Sequence, residues 1–252
     1  MCKGLNKLFL CTLMSFIVSC VSADDRTLSP PLNTAWVNIE IKNPSAYTKP
    51  FPLEVLYVST TCKRELMSLR DVQHYEKVGY NPVKIPLQKQ SDSDIWVAKI
   101  AKDGGGKCNW QLSEFNLGIE YIDATHLGKG LVPGTAVGAT IAFDDNATKN
   151  GLFKTVHGDI NLSPIYYPYI RERRLNSTET SLSLLGEKSF ISLKADGTNK
   201  FSFHPRLDET KVTRYIGVAK KEPGSYAKII YPDGIVAPEG TIIPDFNKIN
   251  AK

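Results

Sequence analysis

The chain has 252 residues, of which 42% are hydrophobic and 23% charged, with a formal net charge of +5. That length buries one large core or two small ones, and the apolar content is that of a globular protein. The cations are spread along the chain and not gathered into runs, which argues against a nucleic-acid partner.

The first residues form a leader. Lys3 and Lys7 precede an apolar stretch over 8–18 that ends in Ile17-Val18-Ser19-Cys20. About a dozen apolar residues fall short of the roughly 20 that cross a bilayer, so the stretch reads as a removable export signal and takes no part in the fold. Ile17-Val18-Ser19-Cys20 resembles the lipobox of bacterial lipoproteins, with an aliphatic residue three before the cysteine and a small one just before it. The resemblance implies a signal peptide over 1–19 and a lipid on Cys20. Val21 is not the aspartate associated with inner-membrane retention, so the implied location is the periplasm, anchored to the outer membrane by lipid. A competing exit, plain secretion with cleavage after Val21-Ser22-Ala23, stays open.

Of five cysteines, Cys2 and Cys11 leave with the leader and Cys20 carries lipid, so Cys62 and Cys108 remain. In an oxidising compartment they form one candidate disulfide, against the alternative of two buried thiols. Neither has a Cys or His neighbour at metal-ligand spacing.

Past the lipid site, residues 20–33, with Pro30 and Pro31, read as a short polar tether. Over 34–42, Ala35, Val37, Ile39 and Ile41 alternate with Trp36, Asn38, Glu40 and Lys42, the period of a strand with one buried face. Residues 53–60 repeat the pattern and lead to Cys62. A helix is expected over 66–77, where Leu66, Leu69 and Val72 loosely share a face. Residues 95–100 and 110–122 read as two strands of a hairpin, turned by Asp103-Gly104-Gly105-Gly106-Lys107. Together these elements predict a mainly β chain. An antiparallel β-sandwich over 34–125, of immunoglobulin-like architecture, holds the Cys62–Cys108 disulfide, although the spacing does not match the antibody pattern.

The glycine-rich stretch 125–138 marks a boundary, and a second β-rich region follows over 126–252. Its strand-like runs are 137–143, 152–156, 190–193, 201–203, 212–218 and 227–231, with turns at Pro232-Asp233-Gly234 and Pro238-Glu239-Gly240.

No motif positively argues for catalysis. Gly128-Lys129-Gly130 lacks the GxxxxGK[ST] pattern of a phosphate loop. His74, His126, His157 and His204 stand apart in sequence, without HExxH or CxxC spacing, so neither a metal nor a cofactor is expected. Pro223-Gly224-Ser225-Tyr226 falls short of the GxSxG of a serine hydrolase. The strongest interaction signal is the run 165–174, which holds Tyr166, Tyr167, Tyr169, Arg171, Arg173 and Arg174. Tyrosine and arginine dominate binding hot spots, and Pro164 and Pro168 point to an exposed edge or loop. The competing reading packs the tyrosines over the core and leaves the arginines in water.

Export signal, lipid cysteine, β-rich body and one disulfide make the organisation similar to the periplasmic immunity lipoproteins that neutralise lipase effectors of type VI secretion systems. Only Ile17 to Cys20 matches as a motif. What the resemblance implies is a non-enzymatic protein that binds an incoming toxin and blocks it, using an interface of roughly 800 Å² per partner. The alternatives are a structural or assembly lipoprotein of the envelope or secretion machinery, and a periplasmic ligand-binding protein.

Overall fold

The structure is a computed structural model that describes residues 25–68, 70, 73–148, 151–175 and 178–250. In its first half lie β1 (Trp36–Lys42), β2 (Thr48–Pro50), β3 (Leu53–Met67), β4 (His74–Ile85), β5 (Gln88–Lys89), β6 (Ile95–Ala101), β7 (Asp103–Gly105) and β8 (Trp110–Tyr121). A single 3₁₀ turn at Thr125–Leu127 precedes β9 (Val132–Pro133), β10 (Val137–Ala142), β11 (Lys154–His157), β12 (Ile160–Leu162), β13 (Ile165–Glu172) and β14 (Thr180–Leu185). The rest comprises β15 (Phe190–Asp196), β16 (Lys200–Phe203), β17 (Arg206–Leu207), β18 (Thr213–Ile216), β19 (Lys228–Ile230) and a short helix, α1 (Phe246–Asn250).

The mainly β, sandwich-like class expected from the sequence holds, with mixed and not purely antiparallel sheets. The first sheet runs β11-β15-β10-β8-β3-β4, with β2 and β7 also on β8. The second runs β12-β16-β1-β6-β5, and the third β19-β18-β13-β14-β9, with β17 beside β13. Val37, Ile39 and Ile41 of β1 and Phe201 and Phe203 of β16 are buried with Leu53, Val55 and Tyr57 of β3 and Phe115, Leu117 and Ile119 of β8 in one cluster. Across the core Phe115 meets Phe201 edge to face, ring centroids 5.9 Å apart, the arrangement aromatic quadrupoles prefer.

The expected boundary at 125/126 does not divide this core. β1 pairs in parallel with β16, and β8 antiparallel with β10, so both large sheets draw strands from either side of it. Gly138, assigned by the sequence to the boundary loop, lies in β10 opposite Gly118 of β8. A Cβ on it would stand 1.9 Å from the Leu117 carbonyl oxygen, so the two backbones meet where no side chain fits.

Three further expectations are corrected. The helix over 66–77 is absent among the described residues. Leu66 and Met67 continue β3 and pair with Tyr75 and His74 of β4, because cross-strand pairing outweighs a weak helical pattern. The hairpin of 95–100 with 110–122 does not form either: β6 belongs to the second sheet and β8 to the first, and Asp103–Gly105 crosses between them to pair with Gln111 and Trp110.

Residues 25–31 are no free tether. Ser29 N–H donates to the Gly104 carbonyl at 2.8 Å, Asn81 Nδ2 to the Arg26 carbonyl at 2.8 Å, and Trp110 Nε1 to the Asp25 carbonyl at 3.0 Å. The glycines make this possible. A Cβ on Gly105 would lie 2.2 Å from the Ser29 oxygen, and one on Gly106 2.4 Å from that of Thr27. The run read as a flexible turn is thus a floor on which the N-terminal segment lies.

Cys62 and Cys108 are bonded, as expected, at a sequence separation of 46. They join β3 to the turn that leads into β8, at the end where β3 leaves β8, and do not link two facing sheets. Closing a loop of this length contributes roughly 4 kcal/mol through the unfolded state. Cys62→Ser and Cys108→Ser should therefore lower the melting temperature alike, and the double variant little further. Additive losses in thermal unfolding would show that the pair does not act as one unit.

Candidate partner-binding site

β13 carries the run 165–174 and is not an edge. It lies between β14 and β18, paired along both edges. Tyr166 (1% exposed) and Ile170 join the main core, while Tyr167 (4%) packs with Ile229, Tyr231, Ala237 and Ile249 in a second cluster beneath α1. Tyr169 is 9% exposed, its ring centroid 6.5 Å from that of Tyr215. Tyr166, Tyr167 and Tyr169 are therefore core residues and not surface contacts, which corrects the partner-binding role expected for them.

Pro168 misleads in the sequence because its missing N–H falls at a gap. Asp208 N–H donates to the Tyr166 carbonyl at 3.0 Å, and the pleat turns Pro168 to the same side. There the neighbour changes: β17 pairs with Ile165 and Tyr166, β18 only from Tyr169 onward, and the chain between them leaves the sheet. No ladder bond is lost.

Burial raises the Tyr166 phenol well above its ordinary range and pushes that of Tyr169 up to about 12, the latter against the opposing charge of Arg171. Among the described residues the Tyr166 hydroxyl has no hydrogen-bond partner. Tyr166→Ala should cost roughly 3–5 kcal/mol as a cavity, whereas Tyr166→Phe should be near neutral or stabilising, since it removes an unpaired buried polar atom. Denaturant unfolding of both variants separates these outcomes.

Arg173 and Arg174 reach the surface, as expected, whereas Arg171 is half-buried. The Arg171 guanidinium lies 5.9 Å from the Tyr169 ring and 5.7 Å from that of Tyr215, and its Nε is buried without a partner. Arg173 is exposed, and Arg174 Nε donates to Glu172 at 2.6 Å. Beside them opens a cleft of about 750 Å³ lined by Arg174, Ile216, Val218, Tyr226, Lys228 and Val236. Tyr226 and Val236 are each 52% exposed. Lys220 on the rim stands 4.0 Å from Glu222, whereas among the described residues Arg173 and Lys228 have no carboxylate at ion-pair distance. The lining sets Arg174, Lys220 and Lys228 against Glu222 and Glu239, an excess of one cation, and this beside aromatic and aliphatic area suits a polypeptide loop bearing a carboxylate. Sequence reasoning missed Tyr226, Lys228 and Val236, which lie in or beside the loops around β19, where no periodicity marks them.

The histidines are not brought together. His126 Nε2 lies 2.9 Å from Glu209 under the stacked ring of Tyr47, His157 Nδ1 lies 2.8 Å from Asp196, and His204 Nε2 lies 2.8 Å from Glu40. Asp123, the carboxylate nearest to His126 in sequence, instead caps Thr125 at 2.8 Å. Among the described residues no three His, Cys, Asp or Glu side chains form a cluster able to hold a metal ion.

No protein-family model matches the chain, and comparison with curated proteins and with solved structures gives no match.

Glu40 also borders a groove of about 770 Å³ on the second sheet, shared with Ile85, Pro86, Val97, Lys99 and Lys200. Burial pushes its carboxyl up, but the His204 hydrogen bond and the Lys200 charge outweigh this and leave it below its ordinary value of 4.5. A depressed carboxylate stabilises the fold above that value, and the gain is lost as pH falls through the folded one. Glu40→Gln should lower the melting temperature at neutral pH and converge with the parent chain in acid. A difference that persists unchanged in acid would dissociate Glu40 from that pH dependence.

Proposed function

We propose that the protein is an exported lipoprotein, held to the outer membrane through Cys20, that acts in the periplasm by binding and neutralising a protein partner. The occupant that fits this reading best is a toxic effector, of the lipase kind delivered by type VI secretion systems. The observation that carries it is the cleft beside Arg174, where Tyr226, Val236 and Lys228 stand exposed together. The resemblance of Ile17 to Cys20 to a lipobox supports export and anchoring, and a cysteine pair bonded at 62 and 108 suits an oxidising compartment.

A cleft of this size receives one loop of a partner, and the flanking surface supplies the rest of a standard interface. Arginine at the rim discriminates by pairing with carboxylates, and burial of Tyr226 supplies contact area at low entropic cost. Blocking needs no reactive group, only a complementary surface.

The groove beside Glu40 supports a second reading, a periplasmic ligand-binding protein, since apolar walls there face a few charged groups. A small molecule that raises the melting temperature of the parent chain but not of Lys200→Ala would favour it.

The direct test is growth of a deletion strain among toxin-producing siblings; unchanged survival removes the immunity reading. Arg173→Glu with Arg174→Glu should weaken partner binding by roughly 10- to 100-fold at an unchanged melting temperature, measured by calorimetry with the purified effector. Cys20→Ser should release the protein from the membrane fraction, and unchanged fractionation would rule the anchor out.

A further inference from the structure

The β3–β4 hairpin runs past the body of the first sheet. β8 accompanies β3 only to the pairing of Val58 with Gln111, and from Arg64 opposite Lys77 to Met67 opposite His74 the described strands pair with each other alone. A two-stranded ribbon is marginal in water. This one exposes Met67 at 50% and Tyr75 at 43%. Its register also sets Glu65 opposite Glu76 and Arg64 opposite Lys77, like charges face to face, which costs stability. Lys63 relieves the first pair by an ion pair with Glu76 at 2.7 Å, and the Arg64 guanidinium stacks 3.9 Å over Tyr80. Lys77 lies over the ring of Tyr75, 5.3 Å away. Alternation along the strands puts Leu66, Tyr75 and Lys77 on one face, and Glu65, Glu76 and Met67 on the other.

The root of the ribbon lies beside the first described residues. Cys62 is bonded there to Cys108, Trp110 holds the Asp25 carbonyl, and Asn81 of β4 holds that of Arg26. Five residue steps separate Asp25 from Cys20, a reach of at most about 18 Å. From Cys62 to Met67 the ribbon itself advances about 17 Å. An acyl chain on Cys20 therefore holds the root within one ribbon length of the bilayer.

We propose that this ribbon is a membrane-contact element. Leu66 and Tyr75 enter the interfacial layer of the bilayer that carries the anchor, and Lys77 and the exposed Arg70 meet lipid phosphates. The proposal rests on the anchor reading for its geometry. A tyrosine and aliphatic side chains flanked by cations are what the interfacial layer accepts, and a second contact turns a tether into a fixed orientation.

The test uses the mature chain carrying Cys20→Ser, which has no acyl group, with vesicles of phosphatidylethanolamine and phosphatidylglycerol. The indole introduced by Tyr75→Trp should shift to the blue relative to the parent chain and be quenched by brominated acyl chains. Leu66→Asp with Tyr75→Asp should lower co-sedimentation roughly tenfold, while Ile242→Asp, in the loop before α1, should leave it unchanged. An unquenched indole, or equal loss in all variants, overturns the proposal. So does loss of partner binding by Tyr75→Asp at full vesicle binding, which would assign the ribbon to the protein partner. The mass of Cys20 in the membrane fraction reports the anchor separately: without acylation the anchor reading fails, while quenching still supports the ribbon contact.

Discussion

The whole arrangement is built against β8. Its twelve residues pair with β2, β3, β7 and β10, and Trp110, Leu112, Phe115, Leu117, Ile119 and Tyr121 are all buried along it. Area removed from water at about 25 cal/mol per Å² makes such a strand the main apolar investment of a sandwich. Strands on either side are placed by its register. The disulfide sits at its start, the Gly118–Gly138 approach lies near its end, and the facing sheet meets it through Phe115 and Phe201.

Local periodicity made part of this legible in the residues. Val37, Ile39 and Ile41 announce a one-sided strand because a period of two has no other economical use, and the same holds for the first part of β3. What the residues hide is partnership. Asn38 pairs with Lys200 and Tyr169 with Thr213, and nothing in a local window encodes such distances. Residues 66–77 resemble a weak helix only when the partner strand is ignored, and Asp103 to Lys107 resemble a loose turn only when the N-terminal segment lying on them is unknown.

The candidate site was half legible for a related reason. Arg171, Arg173 and Arg174 stood out by composition; Arg173 and Arg174, past the end of β13, are exposed, whereas Arg171 within it is half-buried. The tyrosines could go either way: a phenol carries enough apolar area to be core and enough polarity to be surface. Their fate was decided by Pro168, which usually excludes a central strand and here sits against the space that β17 and β18 leave between them. The cleft itself needed residues that are distant in sequence, Arg174 from one strand end and Tyr226 from a loop some fifty positions later.

The parallel partnership of β1 with β16 has a kinetic consequence. β1 gains this neighbour only when residues near 200 are available, so the sheet cannot close early. Non-local closure of this kind is slow, because loop entropy is lost before contact is won. A nascent chain of this topology stays open until β16 has been made. A frame interrupted before β16 leaves one flank of β1 unpaired and available to a neighbouring molecule.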